Sequence, residues 1–248
     1  MFSRITSLQH PLIKHLVKLR ESRDYRYHSQ TVVLCGLKLI TELAPRFTFR
    51  CVLLDETFDP GFELNSESLY RVSPEIIKKV SGLKNPEPIV AEIQMPKAQD
   101  LSSVNFLLIL DGISDPGNLG TLLRSAWGLG WDGVFLTPRT VDPFNDKAVR
   151  AAKGATFHLP WKTGNYEELN ALLTQKKMKL YAADARGATF RKDQFSPPLA
   201  LAVGNEAHGL AAELKKNARM IAIPMKSGVE SLNVSSAGAI LMYNMKVL

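Results

Sequence analysis

The sequence predicts an α/β protein, with a small N-terminal α/β domain followed by a larger domain built on a mostly parallel sheet. The 248-residue chain is 45% hydrophobic, enough to bury a sizeable core, and domains of roughly 100–200 residues make two units the natural division. In the second half, short and nearly continuous apolar runs alternate with helical segments, as in parallel strands covered on both faces. Pro86, Pro88 and Pro96 bracket the last apolar run of the first half. The expected boundaries are therefore 1–95 for the first domain, 96–104 for a linker and 105–248 for the second domain.

In chain order, Leu12, Leu16 and Leu19 recur at helical spacing among basic residues and predict an amphipathic helix over 11–26. A strand follows at 31–35, a helix at 37–44 and a strand at 50–55. Ser73 and Pro74 suit the N-cap and first turn of a helix over 74–80. A strand at 89–94 closes the first domain. The second domain is expected to have strands at 106–110, 133–136, 180–183, 199–203 and 220–223. Its helices are expected at 119–129, 147–152, 166–176, 210–217 and 234–246.

Thirty-one Lys and Arg against 24 Asp and Glu give a formal net charge of +7, a field that attracts polyanions. Lys14, Lys18, Arg20, Arg23 and Arg26 crowd the first predicted helix; such a run is either a surface for a polyanion or a solvated helix face. The cysteines, Cys35 and Cys51, form no Cys-x-x-Cys pair and the five histidines are scattered, so no metal site is expected. No apolar run reaches 18 residues and no apolar leader follows Met1. The expectation is a soluble protein of a reducing cytoplasm.

In parallel sheets ligands gather beyond the carboxyl ends of the strands, which directs attention to residues 111–120, 204–209 and 224–233. The first segment runs from Asp111 through Asn118 and Gly120 into a helix carrying Arg124. Leu119, Leu122, Leu123, Ala126 and Trp127 form its buried stripe, leaving Arg124 pointing away from the core. Asn118 reads as the helix cap, so an ordinary capped turn is one account. A planar cation beside a polar turn is also what phosphate recognition needs.

The second segment, Gly204-Asn-Glu206-Ala-His-Gly209, suits a sharp turn that exposes backbone groups to a ligand. His208 reads better as a polar residue at a helix start than as a base. In the third segment Ser231, Asn233 and Ser235 all qualify as capping residues, but the loop is longer and more polar than a turn requires. The Gly128-x-Gly130-x-x-Gly133 pattern imitates a dinucleotide fingerprint with helix and strand in the wrong order. It is read as a left-handed helix terminus.

Taken together, Asn118-x-Gly120-x-x-x-Arg124, Gly204-Asn-Glu206-x-x-Gly209 and Ile223-Pro224 followed by Ser231-Leu-Asn233-Val-Ser235 resemble the three signature motifs of the SpoU (TrmH) family of SPOUT RNA methyltransferases. The resemblance covers about 106–248. The first 95 residues more weakly resemble the ribosomal-protein-like RNA-binding domain that many members carry in front. It implies an α/β fold with a deep C-terminal trefoil knot, a homodimer, and S-adenosylmethionine bound in the knot largely by backbone groups. The implied cofactor contacts are Val203, Gly204, Glu206, Ile223, Met225 and Leu232. The implied active-site residues are Asn118, Arg124, Glu206, Ser231 and Asn233, with Arg124 reaching across the dimer in some members.

The implied reaction is methyl transfer to a ribose 2′-hydroxyl, a group that DNA lacks, with ribosomal RNA expected over transfer RNA as the acceptor. In the family the matching arginine has been assigned the role of general base. A guanidinium that stays protonated serves better as a clamp on the neighbouring phosphate and a stabiliser of charge developing on oxygen. The competing class is a catalytically silent RNA-binding or ribosome-assembly factor on the same fold. A nucleotide-dependent oxidoreductase rests only on the reversed glycine pattern.

Overall fold

The computed structural model describes residues 3–191, 194–205 and 207–246. By internal contacts the chain divides into two units, one of Met1–Pro96 with Phe144–Phe157 and the other of Lys97–Pro143 with His158–Leu248.

In the first unit a strand β1 (Ser3–Ile5) precedes helices α1 (Pro11–Glu21) and α2 (Arg23–Ser29). The single helix expected over 11–26 is broken at Ser22, whose extended backbone and side chain cap α2 by accepting from Tyr25 N–H. Strand β2 (Thr31–Cys35), helix α3 (Leu37–Leu43), strands β3 (Phe49–Asp55) and β4 (Leu69–Val72), helix α4 (Pro74–Ser81) and strand β5 (Ile89–Gln94) follow. The sheet order is β1-β4-β3-β5-β2, with β5 antiparallel to both its neighbours. Ile13, Leu16 and Leu19 of α1 pack with Val33, Leu53 and Ile76 in its core. Arg26 is not a surface cation: it is buried and donates to the carbonyls of Leu19 and Arg20 near the end of α1.

The second unit begins with strand β6 (Phe106–Asp111), helix α5 (Pro116–Gly128) and strand β7 (Gly133–Leu136). Helix α6 (Asp146–Ala152) belongs by contacts to the first unit, as does most of α7 (Ala155–His158). The second unit resumes with β8 (Trp161–Thr163), α8 (Tyr166–Gln175), β9 (Lys179–Thr189), β10 (Leu199–Gly204), α9 (Ala212–Lys215), β11 (Arg219–Ala222) and α10 (Val234–Met245). Every strand pair of its sheet, ordered β11-β9-β10-β6-β7-β8, is parallel. Successive residues Leu107 to Leu110 are all fully buried, as expected where both faces are covered.

Because the strands are parallel, their carboxyl ends share one edge of the sheet. After β8 the chain returns to the other side of β6 and lays down β9, then inserts β10 between them. The loops after β6 and β10 thus meet where the strand order reverses. Helix α10 packs on α5 and on β10. A Cβ at Gly238 would lie 2.4 Å from the Leu122 side chain, so the glycine lets α10 settle onto α5 through a side chain rather than a facing backbone.

Candidate active site

The helix after β6 starts earlier than expected, and Asp115, not Asn118, is its cap. The Asp115 carboxylate accepts from Asn118 N–H at 2.8 Å and Pro116 occupies the first turn, the arrangement preferred at helix starts. This leaves the Asn118 side chain available for another partner. Its Oδ1 accepts a 3.0 Å hydrogen bond from Asn233 Nδ2. Asn233 is itself the N-cap of α10, its Oδ1 accepting from Ser235 N–H at 2.9 Å and from the Ser235 hydroxyl at 2.6 Å. One amide side chain therefore starts a helix and ties the third loop to the first.

Asn205 ties the second loop to the first in the same way. Its Nδ2 donates to Gly112 carbonyl at 2.9 Å, while its Oδ1 accepts from the N–H groups of Ala207 and His208. Backbone bonds between Asn205 and Gly209 close the turn. A side chain at 204 has no room: a Cβ there would lie 2.6 Å from the Gly209 carbonyl carbon and 2.7 Å from Leu210 N. The wall at this point is backbone.

These loops enclose a cavity of about 480 Å³, within the range of small-molecule and cofactor sites. Val203, Gly204, Ile223, Met225 and Leu232 line it, as do Ser231 and Asn233. Asn118 reaches it through Asn233. Arg124 is exposed on α5 and is not part of the cavity wall, and among the described residues it has no hydrogen bond or ion pair. Glu206 lies outside the described residues.

A further wall was missed by sequence reasoning. β9 runs to Thr189, beyond the end expected at 183, and its pairing with β11 jumps from Met220 opposite Ala182 to Ile221 opposite Ala188. The intervening residues bulge, and Ala183, Asp184, Ala185 and Arg186 line the cavity. Asp184 Oδ1 accepts from Arg186 N–H at 2.8 Å. The rule that ligands gather beyond strand ends does not reach a bulge inside a strand, and the charged residues of this segment matched no motif.

Apolar walls with exposed backbone groups and a few convergent polar side chains suit S-adenosylmethionine, which combines a planar heterocycle and an aliphatic chain with many hydrogen-bonding groups. The residues present fit that group.

The comparisons with known proteins agree with this geometry. Residues 105–243 match the SpoU rRNA Methylase family and residues 10–91 the MRM3-like substrate binding domain. The 23S rRNA (guanosine(2553)-2′-O)-methyltransferase RlmP of Bacillus subtilis is 32% identical over 98% of this chain and 99% of its own length. The human mitochondrial rRNA methyltransferase 3 is 29% identical over 94% of this chain and 71% of its own. Among solved structures, the AdoMet-bound rRNA methyltransferase of Sinorhizobium meliloti superposes with a TM-score of 0.84 at 25% identity, covering 98% of this chain and 97% of that one. An RNA 2′-O ribose methyltransferase gives 0.83 at 29% identity with the same coverage. The chain is a member of the SpoU rRNA methylase family.

Proposed function

We propose that this protein transfers a methyl group from S-adenosylmethionine to a ribose 2′-hydroxyl of ribosomal RNA. The observation that carries the reading is the Asn118–Asn233 hydrogen bond, which joins residues 115 apart in sequence at the rim of a cofactor-sized cavity. The Bacillus subtilis relative, named as a 2′-O-methyltransferase of 23S rRNA, supports it further.

In this reading Val203, Gly204, Glu206, Ile223, Met225 and Leu232 hold the cofactor, with Ser231 and Asn233 beside them. S-adenosylmethionine supplies an electrophilic methyl on a sulfonium, and displacement demands that the accepting oxygen lie in line with the breaking bond. Asn118 and Asn233 fix each other's orientation at the cavity rim and leave polar edges toward an incoming ribose. Arg124 offers a planar fork that grips the adjoining phosphate and stabilises charge growing on the 2′-oxygen.

Arg124 stands outside the cavity of its own subunit, and the reading resolves this with a homodimer in which it serves the partner's site. Trp127 of α5, expected in the buried stripe with Leu119, Leu122, Leu123 and Ala126, lies outside it and is 38% exposed. With Ile240 and Tyr243 on α10, 39% and 57% exposed, it makes an apolar set on two adjoining helices suited to burial against a second copy. The C-terminal segment is knotted in this reading. Residues 1–95 form the RNA substrate-binding domain, joined through 96–104 to the methyltransferase domain at 105–248. No described helix is long and apolar enough to cross a membrane. The protein works in the cytoplasm, where Cys35 and Cys51 remain thiols.

The test is methyl transfer from labelled S-adenosylmethionine to ribosomal RNA. Wild type should label the RNA, and Asn233→Ala, which also loses the α10 cap, should abolish labelling. Labelling that survives Arg124→Ala undiminished contradicts the proposed role of Arg124, and no labelling of any RNA favours the silent binding factor.

A further inference from the structure

A buried carboxylate stands behind the cofactor loop and is used by nothing described above. Asp111, the last residue of β6, is 3% exposed and lies opposite Gly204 in the β6–β10 register. Its Oδ1 accepts from the hydroxyls of Thr137 at 2.7 Å and Tyr166 at 2.8 Å; its Oδ2 accepts from Ala211 N–H at 2.7 Å. Among the described residues no cation pairs with it. Burying an unpaired carboxylate is costly, and here three neutral donors offset the cost through charge-assisted hydrogen bonds.

We infer that Asp111 is a positioning residue for the cofactor: by holding Ala211 N–H it fixes the far end of the loop that begins at Gly204. The near end is already pinned, since Asn205 donates to Gly112 carbonyl. Gly112 N–H is in turn held by the hydroxyls of Thr137 at 3.2 Å and Thr140 at 3.0 Å. The loop between these anchors presents its backbone to the cavity through Gly204 and Gly209. A backbone donor or acceptor contributes most to affinity when it is already in place, because ordering it on binding subtracts from the gain. Freed at Ala211, the loop keeps its sequence and loses that preorganisation.

This inference rests on the cofactor reading of the cavity, and the experiment separates the two. S-adenosylmethionine is titrated calorimetrically into wild type, Asp111→Ala, Asp111→Asn and Tyr166→Phe, with thermal unfolding of each unliganded protein measured alongside. Asp111→Ala is expected to weaken binding about ten- to a hundredfold. Asp111→Asn keeps an oxygen for Ala211 N–H and turns its amide toward two hydroxyls that can accept, so it should restore most of the affinity. Tyr166→Phe removes a donor from the same carboxylate without touching the loop, and should lower Tm while leaving affinity within about threefold.

If Asp111→Ala does not fold, Ala211→Pro removes the same hydrogen bond from the other side, at a residue whose φ of −61° suits proline. It should show the same loss of affinity. Unchanged affinity in whichever of these two is measured, or a loss in Tyr166→Phe as large as in Asp111→Ala, overturns the positioning role. A wild-type protein that does not bind S-adenosylmethionine overturns the cofactor reading itself, and this inference with it.

Discussion

Arg124 and the two cysteines show how differently exposed and buried side chains respond to their surroundings. Replacing Arg124 by Lys keeps the charge and loses the planar fork. Transfer to RNA should fall at least tenfold, and Arg124→Ala should cost about 10²–10³ in kcat; single-turnover kinetics with both variants checks this, and near-wild-type turnover by the Lys variant counts against bidentate clamping. Burial pushes the Cys35 thiol from its ordinary value of 9.0 up to about 12, and burial with the neighbouring Glu92 charge pushes Cys51 up as well. The native thiols therefore stay protonated while those of the unfolded chain ionise near 9, so alkali favours unfolding. Urea midpoints should drop as pH rises from 9, and Cys35→Ala should flatten the slope; a midpoint flat to pH 11 would mean that the thiol titrates alike in both states. At this scale the polar residues of the motifs were legible in the sequence, but their bonds were not. Asn118 reads equally well as a helix cap until Asp115 is seen to hold that role, and the Asn118–Asn233 bond depends on tertiary structure.

The elements follow local rules closely where apolar period and capping agree. Strands β2 and β5 run over the expected 31–35 and 89–94, because runs this short, rich in Val and Ile and, for β5, flanked by prolines, favour strand over helix. Glycines mark the end of α5 as expected: Gly130 adopts a left-handed φ of 69°, and Trp131 N–H donates back to Ala126 carbonyl. The misses have physical causes. Ser22 divides a continuous helical pattern by competing for Tyr25 N–H, and the three-residue strands β1 and β8 are too short to carry a period. The α5–α10 contact gives a sharp prediction. Gly238→Ala gains about 1 kcal/mol of helix propensity, but its Cβ would lie 2.4 Å from Leu122 Cδ2, and overpacking of this kind costs about 1–3 kcal/mol. Denaturant unfolding should find a net loss, and because Leu122 is itself fully buried the double variant with Leu122→Ala should lose less than the sum of the two single losses; an Ala variant more stable than wild type would show that α10 has slack there.

For the whole molecule, the α/β class and the parallel second sheet were legible from the alternation of apolar runs and helices. The course of the segment Phe144–Phe157 was not, since its contacts are with residues far away in sequence. Sequence likewise marked a basic run at the start of the chain, but Arg26 proves to be a buried structural group, leaving Lys14, Lys18 and Arg23 exposed. Replacing these three by Glu should weaken RNA binding tenfold or more at about 0.1 M salt without changing S-adenosylmethionine affinity; equal loss of both would refute the division into a binding front and a catalytic back. In the proposed reaction a ribose oxygen receives the methyl group, and the acceptor atom can be read chemically. A methylated 2′-oxygen cannot attack the adjacent phosphodiester, so that linkage resists alkaline hydrolysis. Ribosomal RNA from cells with and without this protein should differ by a protected linkage present only when the protein is. Methyl groups found on bases, with no protected linkage gained, would rule out transfer to the 2′-oxygen.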